Sequence, residues 1–159
     1  MMSAPAGTRL AIRLRPMTAG DAALLFAWVN SPDSLAASLD THAPVTRDVH
    51  EDWFEARLAD PLTRIWIIER HGDPVGSVRI QDKGDGPEVA IYIDTPARGA
   101  GIAGTALGLA LDEAHTVWPG SEAIARVRTD NTASQRLFAG AGFVLLQRAD
   151  DHLIYTRVL

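Results

Sequence analysis

The feature that most constrains this chain is a glycine-rich turn between a strand pattern and a long apolar helix pattern. It comprises residues 98–105, with the sequence Arg-Gly-Ala-Gly-Ile-Ala-Gly-Thr. Glycine and alanine let the backbone approach a ligand closely, and the unpaired N–H groups of a first helical turn suit a phosphate. The same small residues also serve a tight strand-to-helix connection that binds nothing. The turn alone leaves both interpretations open.

The spacing of Gly99, Gly101 and Gly104 matches the dinucleotide-binding fingerprint Gly-x-Gly-x-x-Gly literally. This turn lies in the middle of the chain, however. No acidic residue ends a following strand at the offset of about 20 residues that is typical of such sites. A dinucleotide site is therefore not the favoured interpretation of the turn.

Hydrophobic periodicity and turn residues predict an alternation of strands and helices around this turn. The predicted strands span residues 8–15, 64–70, 75–81, 88–94, 122–129, 143–148 and 152–158. The predicted helices span residues 18–30, 47–58, 102–118 and 131–139, with a short helix opened by Ser31 and Pro32. One side of helix 47–58 is expected to carry Val49, Trp53, Phe54 and Leu58. This order predicts a flexible tail, residues 1–7, and one α+β domain, residues 8–159, with a mixed sheet.

The composition limits the chemistry that the chain can perform. None of the 159 residues is a cysteine, which excludes disulfides, cysteine-ligated metals and a cysteine acyl-enzyme. The net charge of −5 argues against attraction to nucleic acid or to anionic membranes. No apolar run approaches the roughly 20 residues that cross a bilayer. We expect a cytoplasmic protein, monomeric or homodimeric, that binds no metal.

A second motif lies one predicted strand beyond the turn. Its residues are Asn131, Ser134, Phe138, Gly142 and Phe143, in the pattern Asn-x-x-Ser-x-x-x-Phe-x-x-x-Gly-Phe. With this motif, the chain resembles the GNAT family of acyltransferases. The coenzyme motif of that family, Gln/Arg-x-x-Gly-x-Gly/Ala, is matched here by Arg98, Gly101 and Ala103. The two motifs together are far more specific than either alone.

The resemblance implies a GNAT-like fold, with a sheet of about seven strands whose central strands splay apart, and acetyl-CoA as the co-substrate. It implies that the backbone of Ile91, Tyr92 and Ile93 pairs with pantetheine. The pyrophosphate would then be held by Arg98, Gly99, Ala100, Gly101, Ile102, Ala103, Gly104 and Thr105. The helix 131–139 would add coenzyme contacts from Asn131, Ser134 and Phe138. Asn131 is also a favoured helix N-cap, and the two roles are compatible.

Phe138 departs from the family pattern. Many members carry a tyrosine at this position, whose hydroxyl can protonate the leaving thiolate. Phenylalanine has no hydroxyl, so that role is vacant, is filled by water or belongs to another residue. Core packing is the favoured interpretation of Phe138 itself.

Without cysteine, direct attack of an amine on the thioester is the simplest mechanism, and it requires a general base. The resemblance makes Glu88 the first candidate, because family members often use a carboxylate at the start of this strand. The alternative is an exposed charge at a strand end. Asp94 and Tyr92 are further candidates, although Asp94 before Thr95-Pro96 is typical of a turn former.

The acceptor side is predicted from the front half of the chain. Residues 28–61 resemble acetyltransferases that modify nucleotide-linked amino sugars, in which the first helices form the acceptor side of the cleft. On this basis Trp28, Asn30 and His50 are candidate substrate contacts, and relatives often carry arginine where Val29 stands. Arg79 is a candidate contact for a substrate anion. The alternatives are core or cleft-wall packing for Trp28, a solvated or packing histidine at His50, and a surface arginine at Arg79.

Three functions follow from this sequence. The first is transfer of an acetyl group from acetyl-CoA to a primary amine of a small molecule, with a nucleotide-linked amino sugar as the leading acceptor. The second is acetylation of a protein N-terminus or lysine. The third is a non-catalytic module that binds acyl-CoA, which the missing tyrosine at Phe138 favours slightly.

Overall fold

A computed structural model describes residues 11–40 and 43–159. Within these ranges the strands are β1 Ile12–Pro16, β2 Thr63–Arg70, β3 Asp73–Asp82, β4 Pro87–Ile93, β5 Glu122–Arg128, β6 Val144–Arg148 and β7 His152–Val158. The helices are α1 Ala22–Val29, α2 Pro32–Ala37, α3 Arg47–Ala59, α4 Ile102–Val117 and α5 Thr132–Gly140. The predicted order of strands and helices is confirmed, with ends that differ mostly by one or two residues. The predicted tail and the first residues of strand 8–15 lie outside the described residues.

The strands form one sheet of seven, in the order β1-β2-β3-β4-β5-β7-β6. Neighbouring strands are antiparallel except β4 and β5, which are parallel. In the described part of the chain, β4 and β5 pair only at Glu88 and Ile124. Beyond this point the two strands diverge, so the centre of the sheet opens toward the carboxyl end of β4. The predicted mixed sheet with splayed central strands is confirmed.

Helices cover both faces of the sheet. On one face α4 and α5 pack on a large apolar cluster that includes Ile68, Val78 and Leu107. On the other face α1 and α3 pack on a smaller cluster that includes Phe54 and Ile67. The adjacent residues Ile67 and Ile68 are fully buried on opposite faces. The middle of the sheet is therefore covered on both sides, and burial of each such side chain stabilises the fold by about 1.5–3 kcal/mol.

The entry to α1 is held by a buried carboxylate. The backbone N–H of Thr18 donates to Asp21 Oδ2 at 2.8 Å, which is the predicted capping box. Arg15 donates to both carboxylate oxygens of Asp21, at 2.9 and 3.0 Å. This bidentate pair with Arg15 lowers the pKa of Asp21. A short 3-10 turn, Ala19–Asp21, precedes the α-helix, so the predicted helix begins with a tighter turn.

The predicted apolar side of α3 is partly wrong. Val49 and Leu58 are 60% and 42% exposed, whereas His50 and Phe54 are buried. His50 and Phe54 lie four residues apart and therefore share one face of the helix. The buried face of α3 is centred on His50 and not on Val49. The prediction missed this because it counted only apolar residues.

Candidate active site

A cavity of about 670 Å³ occupies the opening beside the end of β4. Its walls come from α1, α2 and α3 on one side, from β3 and β4 in the middle, and from the glycine-rich turn and the start of α5 on the other. The splay of β4 from β5 and the turn before α4 therefore face the same space. Most of the predicted site residues, which are scattered over the chain from Trp28 to Ser134, line this cavity.

The glycine-rich turn forms the wall at the carboxyl end of β4. Among the predicted coenzyme contacts, Arg98, Gly99, Gly101, Ile102 and Ala103 line the cavity. Gly99 and Gly101 have φ angles of 81° and 75°, in the left-handed region that favours glycine. Gly101 is the N-cap of α4 and has no side chain to cap the first-turn N–H groups. A side-chain Cβ at Gly101 would meet nothing within 4 Å, so this helix terminus is open.

Arg98 connects the turn to two other walls. Its Nε donates to the carbonyl oxygen of Ile93 at 2.9 Å, which ties the turn to the end of β4. Its Nη1 forms an ion pair with Asp33 of α2. The guanidinium also lies 5.9 Å from the centre of the Tyr92 ring. Arg98 is therefore placed at the cavity mouth by the backbone of β4 and by α2.

The wall formed by β4 carries Ile91, Tyr92 and Ile93. Ile91 and Ile93 pack against the cluster under α4, whereas Tyr92 packs against the cluster of α1 and α3, with its ring 5.4 Å from that of Trp28. The Tyr92 hydroxyl donates to Asp94 Oδ1 at 3.2 Å. Burial raises the pKa of Tyr92. Tyr92 therefore lines the cavity from the side of α1 and keeps its proton at neutral pH.

The start of α5 contributes Asn131 and Ser134 to the cavity wall. The Asn131 side chain accepts a hydrogen bond from the Ser134 N–H at 3.2 Å, so its predicted N-cap role is confirmed. Phe138, one turn further on, is buried and packs edge-to-face on Phe143 with 5.1 Å between ring centres. Phe138 does not line the cavity, in agreement with the favoured interpretation of core packing.

The wall opposite the turn is aromatic and basic. His50 is 4% exposed, and its ring lies 5.3 Å from Phe26 and 5.8 Å from Trp53. Its Nε2 is 3.2 Å from the carbonyl oxygen of Ala22, which makes this nitrogen the donor. Burial lowers the pKa of His50, so the ring is neutral at neutral pH. The Arg79 guanidinium lies 5.4 Å from the centre of the Trp53 ring.

Several predicted site residues do not line the cavity: Asn30, Glu88, Ala100, Gly104, Thr105 and Phe138. Asn30 Nδ2 donates to the Val45 carbonyl at 3.0 Å, and Asn30 Oδ1 accepts from the Val45 N–H at 2.7 Å. Glu88 pairs with Arg126 Nε at 3.0 Å and sits at the closed end of the splay. The side chains of Asn30 and Glu88 are thus both engaged within the protein.

Some cavity residues were missed by the sequence analysis. Asp33 and Ser34 of α2 line the cavity, as do Leu25 of α1 and Ser77 of β3. Asp33 and Ser34 belong to no recognised sequence motif, so only their position in the structure identifies them as cavity residues. Trp53, which was predicted as part of the apolar side of helix 47–58, belongs to the cavity wall beneath Arg79.

Within residues 11–40 and 43–159, no group of three or more His, Cys, Asp or Glu side chains is arranged to hold a metal ion. Over the same residues, no helix has the length and apolar content needed to cross a membrane.

The splayed sheet, the open N-terminus of α4 and the cavity between them define an acyltransferase domain that holds a coenzyme thioester. The family model for the acetyltransferase (GNAT) domain matches residues 11–144, and the chain belongs to this family. As a member of this family, the protein is an N-acetyltransferase with acetyl-CoA as its co-substrate.

Solved structures share this fold. A domain from Methanocaldococcus jannaschii is similar with a TM-score of 0.83 and 26% identity, over 93% of this chain and 98% of that chain. The ribosomal-protein-alanine N-acetyltransferase of Brucella melitensis is similar with a TM-score of 0.79 and 25% identity, over 92% and 99%. The spermidine N-acetyltransferase of Vibrio cholerae, solved with CoA and spermine, shares the fold with a TM-score of 0.82 and 19% identity, over 92% and 95%. A sequence comparison with curated proteins finds no match.

Proposed function

We propose that the protein transfers the acetyl group of acetyl-CoA to a primary amine of a small molecule, by direct attack in a ternary complex. One observation carries this proposal. The cavity has an open helix N-terminus at one end and is covered at the other by α1, α2 and α3. Donor and acceptor can therefore occupy one continuous cavity at the same time.

The donor half of the cavity suits coenzyme A. The N–H groups at the start of α4 and the guanidinium of Arg98 favour the pyrophosphate, because both place positive charge at one point. The backbone of Ile91 and Ile93 faces the gap left by β5 and can pair with the amides of pantetheine. Asn131 and Ser134 complete this wall beside the arm.

The reaction requires three proton transfers. The ammonium group of the acceptor first loses a proton, and its nitrogen then attacks the thioester carbonyl carbon. The attached nitrogen loses its second proton as the carbon–sulfur bond breaks, and the thiolate leaves and takes up a proton. The products are an amide and free coenzyme A.

Glu88 is the proposed base. It lies on the same face of β4 as Ala90 and Tyr92, which line the cavity, and its carboxylate is fixed by Arg126. Because Glu88 itself does not line the cavity, it is proposed to act through a water molecule. Tyr92 is the proposed proton donor to the thiolate, since it presents a protonated hydroxyl to the cavity and Phe138 has no hydroxyl.

The cover over the acceptor side favours a small molecule over a protein chain. Helices α1, α2 and α3 line this side of the cavity with bulky side chains such as Trp28 and Trp53, which narrow the space left for an acceptor. A nucleotide-linked amino sugar remains one acceptor of this class. Val29 lines the cavity where many enzymes for such sugars carry arginine. A protein N-terminus and a non-catalytic acyl-CoA module are the alternatives.

The test is release of free thiol from acetyl-CoA across a panel of small primary amines and peptides. Turnover with a small amine, at a kcat/KM well above that for peptides, is the expected result. Faster turnover with an N-terminal peptide would contradict the proposal and indicate acetylation of protein N-termini. Coenzyme binding without thiol release for any amine would leave only the non-catalytic module.

A further inference from the structure

We propose that the acceptor amine also carries an anionic group, a carboxylate or a phosphate, which Arg79 binds over the face of Trp53. This inference rests on the proposed function, because it names the class of acceptor for the same cavity. It is carried by the position of Arg79, by its lack of an anionic partner among the described residues and by its distance from the coenzyme end.

Arg79 projects into the acceptor half of the cavity from the middle of the sheet. It lies in β3 directly opposite Ala90 of β4, and both residues line the cavity. The guanidinium carbon is 5.4 Å from the centre of the Trp53 ring. An arginine held over an indole keeps its planar edge free, and this edge is the part that binds carboxylate and phosphate in a bidentate manner.

Arg79 has no anionic partner among the residues that the structure describes. Across residues 11–40 and 43–159, no side chain or carbonyl group forms a hydrogen bond or ion pair with its guanidinium. Glu88, the carboxylate that favours the charged form of Arg79 most, is paired with Arg126 at 3.0 Å. Burial lowers the pKa of Arg79, which reflects the cost of holding this charge away from water. An acceptor anion would remove this cost.

The phosphates of the coenzyme do not account for Arg79. Strand β4 ends at Ile93, and the glycine-rich turn begins beyond Asp94. Ala90, the residue opposite Arg79, lies four residues before Asp94. Four residues of a strand span about 13 Å. Arg79 therefore lies well away from the pyrophosphate end, toward the closed end of the splay, where the thioester and the amine would meet.

The charge of this wall selects among amines. His50 is neutral at neutral pH, so it adds no charge to that of Arg79, and Asp33 is paired with Arg98. A polycation would place a second positive charge against Arg79, whereas an amine with a carboxylate or phosphate would pair with it. The acceptor is therefore expected to be an amino acid, an amino sugar phosphate or a related zwitterion rather than a polyamine.

Matched amine pairs test this proposal. Wild-type protein is assayed for thiol release with ethanolamine and phosphoethanolamine, glucosamine and glucosamine 6-phosphate, and tyramine and tyrosine. We expect kcat/KM to be about 10- to 100-fold higher for the anionic member of the best pair. Arg79→Gln should remove this preference through KM, while Arg148→Gln, an exposed arginine of β6, should retain it. A preference that survives Arg79→Gln, or a uniform loss of kcat with all amines, would overturn the proposal and leave the acetyltransferase function standing.

A second measurement does not depend on turnover. With the coenzyme site saturated by coenzyme A, inorganic phosphate is titrated and the melting temperature is followed. Phosphate should stabilise the wild type and the Arg148→Gln variant but not the Arg79→Gln variant. Equal shifts in all three proteins, or none in the wild type, would contradict the anion site even if thiol release is never observed.

Discussion

Arg98 of the glycine-rich turn and Asp33 of α2 form an ion pair across the mouth of the cavity, with 2.5 Å between Nη1 and Oδ2. Their side chains are 41% and 54% exposed. The arginine proposed to bind pyrophosphate is therefore already paired within the protein. If coenzyme A binds to Arg98, its pyrophosphate must displace the Asp33 carboxylate or bind the guanidinium together with it.

This competition predicts opposite effects for the two partners. Asp33→Asn should tighten coenzyme A binding by up to about fivefold, because an exposed ion pair contributes about 0–1 kcal/mol. Arg98→Gln should weaken binding by about 10- to 100-fold, because it removes a charge-assisted contact to phosphate. Calorimetric titration at two salt concentrations measures both effects. Weaker binding by Asp33→Asn would instead give Asp33 a direct contact with the coenzyme.

The open N-terminus of α4 predicts a strong effect of charge at Gly101. Gly101→Glu should abolish detectable coenzyme A binding, because a carboxylate would project into the space proposed for the pyrophosphate. The matched Gly101→Gln variant carries the same bulk and the same backbone strain, roughly 1–2 kcal/mol, without the charge. Calorimetry should therefore show weaker binding by the glutamine variant and none by the glutamate variant. Wild-type affinity in both variants would remove the turn from the coenzyme site.

Variants of Glu88 and of its partner Arg126 can distinguish a catalytic role of the carboxylate from a structural one. Glu88→Gln should lower kcat by about 10²- to 10⁴-fold with coenzyme affinity nearly unchanged, if Glu88 is the base. Arg126→Gln removes the same ion pair but keeps the carboxylate, so its kcat should fall by no more than about fivefold. Similar losses in both variants would indicate that the ion pair, and not proton transfer, is what Glu88 provides.

His50 predicts a pH dependence of stability. Burial lowers its pKa in the folded protein below the usual value of 6.5, so the unfolded chain binds more protons as the pH falls through this range. The free energy of unfolding should therefore decrease on acidification below pH 6.5, by no more than about 1.4 kcal/mol per pH unit from this group. His50→Gln should flatten this part of the profile in urea denaturation, whereas His115→Gln, at an exposed position of α4, should not. An unchanged slope in His50→Gln would contradict the assignment.

The carboxylate at the start of α1 predicts a stability effect remote from the cavity. Asp21→Asn should lower the free energy of unfolding by about 2–4 kcal/mol, because it breaks a largely buried bidentate pair with Arg15. Glu69 still pairs with Arg15 at 3.3 Å and moderates the loss. Asp130→Asn, which breaks the exposed pair with Arg128, should leave urea denaturation almost unchanged. A small effect of Asp21→Asn would show that α1 is held by packing alone.

Local patterns were sufficient to predict the elements of this fold. Strand alternation, the capping box of Thr18 and the N-cap of Asn131 are encoded within a few residues, and each was predicted from the sequence. The α3 face was misjudged because a buried histidine replaces an apolar residue at its centre. The buried His50 is accommodated by a ring contact with Phe26 and by the carbonyl oxygen of Ala22, and both residues lie far from it in the sequence.

The site was predictable on the donor side and less so on the acceptor side. The turn and α5 carry motifs, so their residues could be named in advance. The pairing of Asp33 with Arg98 joins residues 65 positions apart, and that of Glu88 with Arg126 depends on the register of β4 and β5. The engagement of Asn30 with Val45 likewise depends on the path of the chain between α2 and α3. No local pattern specifies these relationships.

The separation of β4 from β5 also bears on how such a protein can evolve. Every residue offers the same main-chain N–H and C=O, so a donor site built on the free edge of β4 makes few demands on side-chain identity. A sequence can then diverge widely while the fold persists, which is consistent with TM-scores of 0.82 and 0.83 at 19% and 26% identity. The proposed acceptor contacts, in contrast, are individual side chains such as Arg79 and Trp53. Donor use is therefore inherited with the fold, while the choice of acceptor can change with a few substitutions.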